Sequence, residues 1–363
     1  MIYLAYSILA FELLRLLVAL SNLLFFQRLP KGIVANDSLV SVLIPARNEE
    51  ENIGVLLACL LRQQYTNIEI LVFNDQSTDQ TAAIVKQMQQ ADCRIKLIGS
   101  DGLPPGWLGK NYACYRLASE ARGSYLLFID ADVRIGHQSI GKSVAFARKH
   151  KTALLSVFPR QQMHSAGEWL TVPVMNSILL TLLPLVLVRK SGFSSLAAAN
   201  GQYMFFNAGA YKNYQPHQVL RSHKVEDIET ARLFKRNSEK IACLASTGFI
   251  ECRMYKSFNA AVQGFSKNII GYFGNSPLLA ISFWLVTTFG IVPVFLLLPV
   301  NFTWLYLALV FVARTIVSIV SKQHILKNLA LALPHQIVTG LFIGKAIINK
   351  FKKQYIWKGR LIS

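Results

Sequence analysis

The chain has 363 residues, of which 53% are hydrophobic, and its 38 basic and 19 acidic residues give a formal net charge of +19. The mean hydropathy of +0.36 is high for a soluble enzyme and predicts membrane segments beside one sizeable folded domain. The basic residues flank apolar runs, without zinc-finger spacing or an RNA-binding motif, so the charge favours a membrane surface and argues against nucleic acid as a partner. The five cysteines form no C-x-x-C pair, which predicts reduced, structural thiols.

Residues 1–27 are predicted to be an N-terminal transmembrane anchor. The apolar run is long enough for one crossing, too long for the apolar core of a signal peptide, and lacks a basic leader. Glu12 and Arg15 interrupt the run three positions apart, so they can pair on one helix face. Arg28 and Lys31 follow it, which predicts that the end of this crossing lies in the cytoplasm.

An α/β catalytic domain is predicted over residues 38–255. Short apolar runs alternate with amphipathic ones, a pattern that indicates a mostly parallel sheet with ligands at the carboxyl ends of its strands. Residues 169–188 are apolar but contain two prolines, and we expect an interfacial or acceptor-groove helix there, with a full membrane crossing as the alternative. The predicted strands are 39–44, 68–73, 95–98 and 125–129, and the predicted helices are 52–64, 78–90 and 111–121.

Residues 256–363 are predicted to form a C-terminal membrane region, with transmembrane helices near 278–300 and 303–320. A further crossing by 329–348 would place the basic tail, 350–360, outside the cell, against the positive-inside tendency. We therefore expect 329–348 to be re-entrant or interfacial. The sequence leaves the oligomeric state open.

Three motifs follow predicted strands. Residues 44–50 (IPARNEE) can cradle a nucleotide through backbone groups or simply cap the next helix. In residues 74–81 (NDQSTDQT), Asp75 can accept a base N–H, whereas Asp79 suits a helix cap. Asp130 and Asp132 end the last strand on one face, and such a pair can bind Mg²⁺ or Mn²⁺ together with substrate phosphates. The alternative for the last motif is a solvated acid pair at a turn.

Two further runs carry charge. Lys110 ends residues 104–110 (PPGWLGK) at the start of a helix, where an ammonium gains little from the helix dipole, so a phosphate contact is favoured over a solvated lysine beside a packed Trp107. Residues 225–229 (VEDIE) supply acids late in the chain. A general base for an acceptor hydroxyl and a helix N-terminus stabilised by acids both explain them.

Taken together, these stretches resemble the family 2 glycosyltransferases, which have the GT-A fold. The resemblance covers most of the chain and runs from SVLIPARNEEENI through NDQSTDQT, GWLGK and DAD to VEDIE. Further matches favour the membrane-bound branch that acts on lipids, including carotenoid (diaponeurosporenoate-type) and hopanoid-associated enzymes. These matches are LLSV at 154–157, NGQ at 200–202, RMY at 253–255, QGFSKN at 263–268 and WKGR at 357–360.

The resemblance implies a role for each matching residue. Asp75 would contact the uracil of a UDP-sugar, Asp130 would face the ribose and phosphate, and Asp132 would be the main metal ligand. Lys110 would lie near the diphosphate, and Asp227 would be the base of a single, inverting displacement. The nucleotide-binding loop would include Pro45, Ala46, Arg47 and Glu49. Contacts to donor phosphates or acceptor would come from Trp107, Asn200, Gln202, Glu226, Lys267, Trp357, Lys358 and Arg360.

The chain departs from the family pattern at three places. Asn74-Asp75-Gln76 stands where the family usually has acid-acid-Gly, although Asp75 is kept. A Gly-Gly-His run is replaced by Gln215-Pro216-His217, and His217 is interpreted as a satisfied turn residue. The Q-x-x-R-W motif of processive relatives is missing, which argues against polymerisation. The basic residues of QGFSKN and WKGR have membrane-surface charge as their alternative explanation.

The leading hypothesis is transfer of a hexose from a UDP-sugar to a membrane lipid by a multi-pass membrane protein with a cytoplasmic catalytic domain. A second hypothesis is a sugar transferase acting on a polyprenyl phosphate. A third, from another class, is a non-catalytic membrane scaffold that retains the fold. The sequence does not identify the sugar, the lipid or the metal.

Overall fold

A computed structural model describes residues 1–30, 32, 36–245, 248–352, 356–357 and 360–361, with side chains up to residue 350. The chain divides into two compact units. The helical unit comprises Met1–Phe26, Gln161–Val186 and Arg253–Ser363, and the α/β unit comprises Gln27–Arg160 and Leu187–Cys252. The predicted domain 38–255 is thus interrupted by a segment that belongs to the helical unit.

Helices and strands are numbered along the chain. The helices are α1 (Ile2–Leu24), α2 (Ile53–Leu61), α3 (Thr81–Ala91), α4 (Gly109–Glu120), α5 (Ser139–His150), α6 (Ala166–Leu182), α7 (Leu185–Lys190), α8 (Ala208–Tyr214), α9 (Pro216–Val219), α10 (Glu226–Arg236), α11 (Phe258–Asn268), α12 (Pro277–Phe289), α13 (Ile291–Leu297), α14 (Val300–Val320), α15 (Ile325–Ala330) and α16 (Ala332–Lys352). The strands are β1 (Val40–Ala46), β2 (Ile68–Asn74), β3 (Ile95–Gly99), β4 (Tyr125–Ile129), β5 (Val133–Ile135), β6 (Leu154–Phe158), β7 (Arg160–Gln161), β8 (Tyr203–Asn207), β9 (Ile241–Ala245), β10 (Ile250–Cys252), β11 (Ile356–Trp357) and β12 (Arg360–Leu361).

The α/β unit is built on a seven-stranded sheet with strand order β3-β2-β1-β4-β8-β6-β9. β1 pairs parallel with β2 and β4, β2 with β3, and β6 with β9, whereas β8 is antiparallel to β4 and β6. The predicted mostly parallel sheet is therefore confirmed. β1 and β2 are buried along nearly their whole length, as expected for strands covered on both faces. The loops after β1, β2 and β4 meet at one edge of the sheet, where ligands bind in folds of this type.

Two apolar cores are seen among the described residues of the helical unit. In one, Ala5, Ile8 and Leu9 of α1 pack with Val294 and Tyr306. In the other, α6, α11, α12 and α16 pack together, and this packing is why the predicted interfacial segment 169–188 lies mostly in the helical unit. Glu12 and Arg15 pair as predicted, with Arg15 Nη1 2.8 and 2.7 Å from the two carboxylate oxygens.

Two helices in the described part of the chain, α1 and α14, are long and apolar enough to cross a membrane. The two helical parts between Phe258 and Phe289 are bent by 99° relative to each other. They form either one broken span, which would be a third crossing, or a re-entrant loop. Residues 278–300, expected as one crossing, are divided between α12 and α13. Pro293 explains the division, because it has no N–H to donate to the carbonyl four residues earlier. Residues 329–348 lie almost entirely in the continuous helix α16.

Candidate active site

Lys110 and Asp130 form the centre of a charged cluster in the α/β unit. Asp130 is the first residue after β4, and its N–H donates to the carbonyl of Gln202, 3.2 Å away. Lys110 lies in the first turn of α4. Its Nζ is 2.8 and 3.0 Å from the two carboxylate oxygens of Asp130. The two residues thus form a bidentate ion pair at the carboxyl edge of the sheet.

Glu226 and Asp227 reach the same cluster from the first turn of α10. Glu226 Oε1 is 3.7 Å from Lys110 Nζ. Asp227 Oδ2 accepts the N–H of Gly201 at 3.0 Å, and its Oδ1 accepts the N–H of Ile228 at 2.8 Å. The Gly201 carbonyl in turn lies 3.4 Å from Lys110 Nζ. The structure therefore brings four sequence-predicted residues together around the turn before β8.

Burial and mutual charge shift the ionisation of this cluster. Burial lowers the pKa of Lys110, but the carboxylates of Asp130 and Glu226 outweigh it and raise that pKa overall. Burial, opposed by Lys110, raises the pKa of Glu226 to about 7. Burial also raises the pKa of Asp227, against the two backbone N–H groups that stabilise its carboxylate. Carboxylates shifted toward neutral pH are suited to accept protons there.

Asp132 lies on the loop between β4 and β5, beside a cysteine that the sequence analysis did not single out. Burial, with the negative charges of Asp130 and Glu49, raises the pKa of Asp132 to about 7. The thiol of Cys252 hydrogen-bonds to the Asp132 carboxylate, and Gln202 Nε2 donates to Cys252 Sγ at 2.8 Å. Within the described residues, the buried Oδ1 of Asp132 has no hydrogen-bond partner.

The arrangement of carboxylates does not by itself enclose a metal. Among the residues that the structure describes, no group of three or more His, Cys, Asp or Glu side chains is placed to hold an ion. Asp130 is engaged by Lys110, and Asp132 presents its unpartnered oxygen.

The loops after β1 and β2 are tied together beside the sheet edge. Asp75 is buried, and its N–H donates to the Ala46 carbonyl at 2.8 Å. Arg47 Nη1 donates to the Asp75 carbonyl at 2.7 Å and lies 4.0 Å from Asp75 Oδ2. Asp79 accepts the N–H groups of Glu50 and Thr81, each at 3.0 Å. Asp79 thus has a structural role, as predicted, but it ties the two loops together, and the N-cap of α3 is Gln80.

Glu49 connects these loops to the acidic pair. Its N–H donates to Thr81 Oγ1 at 2.8 Å, and its Oε2 accepts from Asn52 Nδ2 at 2.9 Å. Its charge acts on Asp132. Pro45 and Ala46 are the last residues of β1.

The other predicted contact residues have varied surroundings. Trp107 packs its ring against Tyr112 and Tyr115, with centroids 5.5 and 5.1 Å away. Asn200 holds the turn before β8, because its Oδ1 accepts the N–H of Gln202 at 2.9 Å. Lys267 lies in α11 of the helical unit. Lys358 lies outside the described residues, and Trp357 and Arg360 are described by their backbone alone.

His217 is buried against Phe128, and one of its ring nitrogens lies 2.8 Å from the Tyr211 hydroxyl. It is thus satisfied, as predicted, but it lies in the core of the unit on α9 and not in a turn. All five cysteines are free thiols, as expected.

The site residues described above lie within, or close after, a segment that matches a protein-family model. Residues 41–214 match the family model described as Glycosyl transferase family 2. This stretch of the chain is therefore similar to the family 2 glycosyltransferases, and the fold is the predicted GT-A type.

Two curated relatives can be aligned with about two thirds of this chain. A 4,4'-diaponeurosporenoate glycosyltransferase of Staphylococcus haemolyticus (strain JCSC1435) is 29% identical over 259 residues, covering 68% of this chain and 66% of the relative. One from Staphylococcus aureus (strain MRSA252) is 26% identical over 263 residues, covering 69% of this chain and 66% of the relative. The chain thus spans 66% of the length of these curated relatives.

Among solved structures, a mannosyltransferase from Pyrobaculum calidifontis, in complex with GDP-Man and Mn²⁺, is similar with a TM-score of 0.60. The alignment covers 96% of this chain and 98% of that one at 15% identity. The likeness concerns the fold.

Proposed function

We propose that this protein is an inverting glycosyltransferase that moves a hexose from a UDP-sugar to a membrane lipid. The observation that carries the proposal is the cluster of Lys110, Asp130, Glu226 and Asp227, with Asp132 beside it, at the carboxyl edge of the sheet in a family 2 domain. The named activity of the staphylococcal relatives supports the reaction class and a carotenoid-like acceptor.

Donor binding is assigned to the sheet edge. Asp75 and Arg47 are held to each other and to the end of β1, so the loop that we assign to the uracil is rigid before a donor arrives. Lys110 is assigned to the diphosphate, because it places an ammonium at the carboxyl edge of the sheet, beside an acid that we assign to the cation.

The acidic pair fits a divalent cation of the Mg²⁺ or Mn²⁺ type. Asp132 has a buried carboxylate oxygen without a partner among the described residues, and hard cations bind through one or two carboxylates plus substrate phosphates. We assign Asp132 as the main ligand and Asp130 as the second. When bound, the cation would offset the charge on the departing nucleoside diphosphate. The P. calidifontis structure contains Mn²⁺ with its nucleotide sugar.

Asp227 is assigned as the general base for a hydroxyl acceptor. Its carboxylate would take the hydroxyl proton while the acceptor oxygen bonds to the anomeric carbon and the bond from that carbon to UDP breaks. The Gly201 and Ile228 N–H groups fix the carboxylate in place, which suits a base that must accept one proton in one position.

The class of acceptor decides whether a base is needed. The relatives are named for diaponeurosporenoate, which is a carboxylate, and a carboxylate or phosphate is already ionised near neutral pH. A carotenoid acid or a polyprenyl phosphate would therefore react without Asp227, whereas a hydroxyl lipid such as a hopanoid alcohol would require it.

We further propose a multi-pass protein whose α/β unit is cytoplasmic. Arg28 follows α1, and the helical unit carries no acid beyond Glu251 in sequence, a distribution typical of cytoplasmic flanks. Lys267, Trp357, Lys358 and Arg360 are proposed to contact the donor phosphates or the acceptor.

The test against a non-catalytic scaffold is nucleotide binding. We expect UDP to quench the tryptophan fluorescence of the full chain in detergent, with a stronger response in Mn²⁺. No response to UDP with or without Mn²⁺ would favour the scaffold. Lipid analysis of cells lacking the protein would then identify sugar and acceptor together, as a glycolipid that disappears.

A further inference from the structure

A cavity of about 290 Å³ in the α/β unit contains none of the residues assigned above to the donor or the metal. Its lining combines basic and apolar side chains. The Phe146 ring is buried, and its centroid lies 4.4 Å from that of His150. The lining residues are Arg28, Leu29, Pro30, Phe146, Lys149 and His150.

Several cations converge here without a compensating acid. His150 Nδ1 is 3.3 Å from Arg189 Nη1, and Arg189 Nε donates to the neutral Gln27 side chain at 2.9 Å. In the part of the chain that the structure describes, no carboxylate forms an ion pair with Arg28, Lys149 or Arg189. The neighbouring Arg148 differs, because it is paired with Asp37.

The helix dipole explains only part of this charge. Basic residues favour the last turn of a helix, and Lys149 and His150 end α5. That effect does not bring Arg28 or Arg189 to the same place from other parts of the chain. The partial negative charge of a helix end is about half a unit, which is smaller than the summed charge of three unpaired cationic side chains. A bound anion would relieve the repulsion among them.

The position in the chain indicates the source of the anion. Arg28 comes four residues after Leu24, the last residue of α1, which is long and apolar enough to cross a membrane. Cations just beyond a crossing lie at the level of lipid headgroups, and those on the cytoplasmic side face anionic lipids. Leu29, Pro30 and Phe146 add an apolar wall, which a free inorganic anion would not use.

From these features, the geometry points to a binding site for the phosphate headgroup of an anionic phospholipid. Arg28, Lys149 and His150 contact the phosphate, and the apolar wall receives the glycerol end of the acyl chains. Arg189 supports His150 from behind. Bound lipid fixes the start of the α/β unit at the membrane surface.

The test is a binding titration on the full chain in neutral detergent at low ionic strength, without donor. Short-chain dioctanoyl phosphatidylglycerol, dioctanoyl phosphatidylcholine and inorganic phosphate are added separately to fluorescently labelled protein. We expect the anionic lipid to bind roughly tenfold or more tightly than the zwitterionic lipid or phosphate. The double variant Arg28→Gln with Lys149→Gln is expected to weaken anionic lipid binding by about tenfold or more.

The matched control removes two exposed lysines elsewhere in the unit, through Lys86→Gln with Lys212→Gln. Binding by the control is expected to stay within about twofold of the parent, since surface charges outside the cavity act weakly. An equal loss in both double variants, or no preference for the anionic lipid, would overturn the site. Phosphate binding as tightly as the lipid would overturn the lipid assignment. Gel filtration checks folding, and Lys149→Glu replaces the double variant if that one is misfolded. The assay contains no sugar donor, so its outcome is independent of the proposed function.

Discussion

Asp227 and Glu226 are adjacent in the chain, yet their carboxylates have different surroundings. Both oxygens of Asp227 accept backbone N–H groups, whereas Glu226 faces the ammonium of Lys110. We expect Asp227→Asn to lower transfer to a hydroxyl lipid by about 10²-fold or more, the usual contribution of a general base. Glu226→Gln is expected to have a smaller effect, because it removes a neighbour of the diphosphate-binding lysine. Turnover with purified UDP-sugar and hydroxyl acceptor measures both.

A second acceptor and a binding control complete this test. With a carboxylate lipid, Asp227→Asn should keep near-normal turnover, because the acceptor has no proton to lose. UDP binding should persist in the variant, and its loss would mean that the Gly201 turn had shifted, since an amide N–H₂ would face a backbone N–H. Near-normal turnover with the hydroxyl lipid would refute the assignment of Asp227.

Buried His217 should make the free energy of unfolding depend on pH. Burial, aided by the charge of Lys110, lowers its pKa to about 3. In the unfolded chain His217 takes up a proton as the pH falls through 6.5, whereas in the folded chain it stays neutral there. The free energy of unfolding is therefore fully retained above that pH and falls as the pH drops below it. Between pH 7 and 5 this residue should remove about 2 kcal/mol from the free energy of unfolding. Denaturant unfolding of wild type and His217→Gln at both pH values checks this. An equal pH response in the two would contradict it.

The residues of the candidate site differ in how far the sequence could predict them. Asp75, Asp130 and Asp132 were predictable because each follows an apolar strand, and parallel strands bring their carboxyl ends together. Cys252 was not, because its contact with Asp132 depends on the antiparallel pairing of β5 with β10, two three-residue strands that are far apart in sequence. The backbone role of Gly201 likewise depends on tertiary contacts.

At the scale of elements, substitutions at two glycines should have different effects, one on catalysis and the other on stability. A Cβ on Gly201 would lie 3.3 to 3.6 Å from the ends of the Lys110, Glu226 and Asp227 side chains, whereas one on Gly123 would lie 2.6 Å from the backbone N of Ser41. Gly201→Ala should therefore lower turnover with little loss of stability. Gly123→Ala should destabilise the unit by about 1–3 kcal/mol, because the turn into β4 must move. Thermal unfolding and activity of both variants test this, and a reversed pattern would contradict it.

The sequence predicted elements of the α/β unit better than those of the helical unit. β4 begins and ends as predicted, because a short apolar run between polar turns has one natural register. The long helices of the helical unit are apolar along most of their length, so hydropathy located apolar segments but not the breaks within them. Pro293 divides the expected crossing at 278–300, and the 99° bend near Gly274 and Asn275 occurs where both residues have positive φ.

At the scale of the whole molecule, the number of membrane crossings decides on which side of the membrane the basic tail, 350–360, lies. With the end of α1 in the cytoplasm, as proposed, crossings by α1 and α14 alone would place the basic tail outside the cell. A third crossing by the bent pair would place the tail in the cytoplasm. The basic residues at 350–360 favour the cytoplasm, so we predict three crossings. A C-terminal reporter active only in the cytoplasm should therefore give signal, and an external reporter signal would contradict this topology.

The proposed function depends most on a cation held by Asp132. Donor turnover by Asp132→Asn, measured with and without Mn²⁺, tests it most directly, with Asp101→Asn as the control because that acid is almost fully exposed. We predict a loss of about 10²-fold or more for Asp132→Asn, UDP binding that no longer responds to Mn²⁺, and parental behaviour in the control. Undiminished turnover of the UDP-sugar by Asp132→Asn would contradict the account.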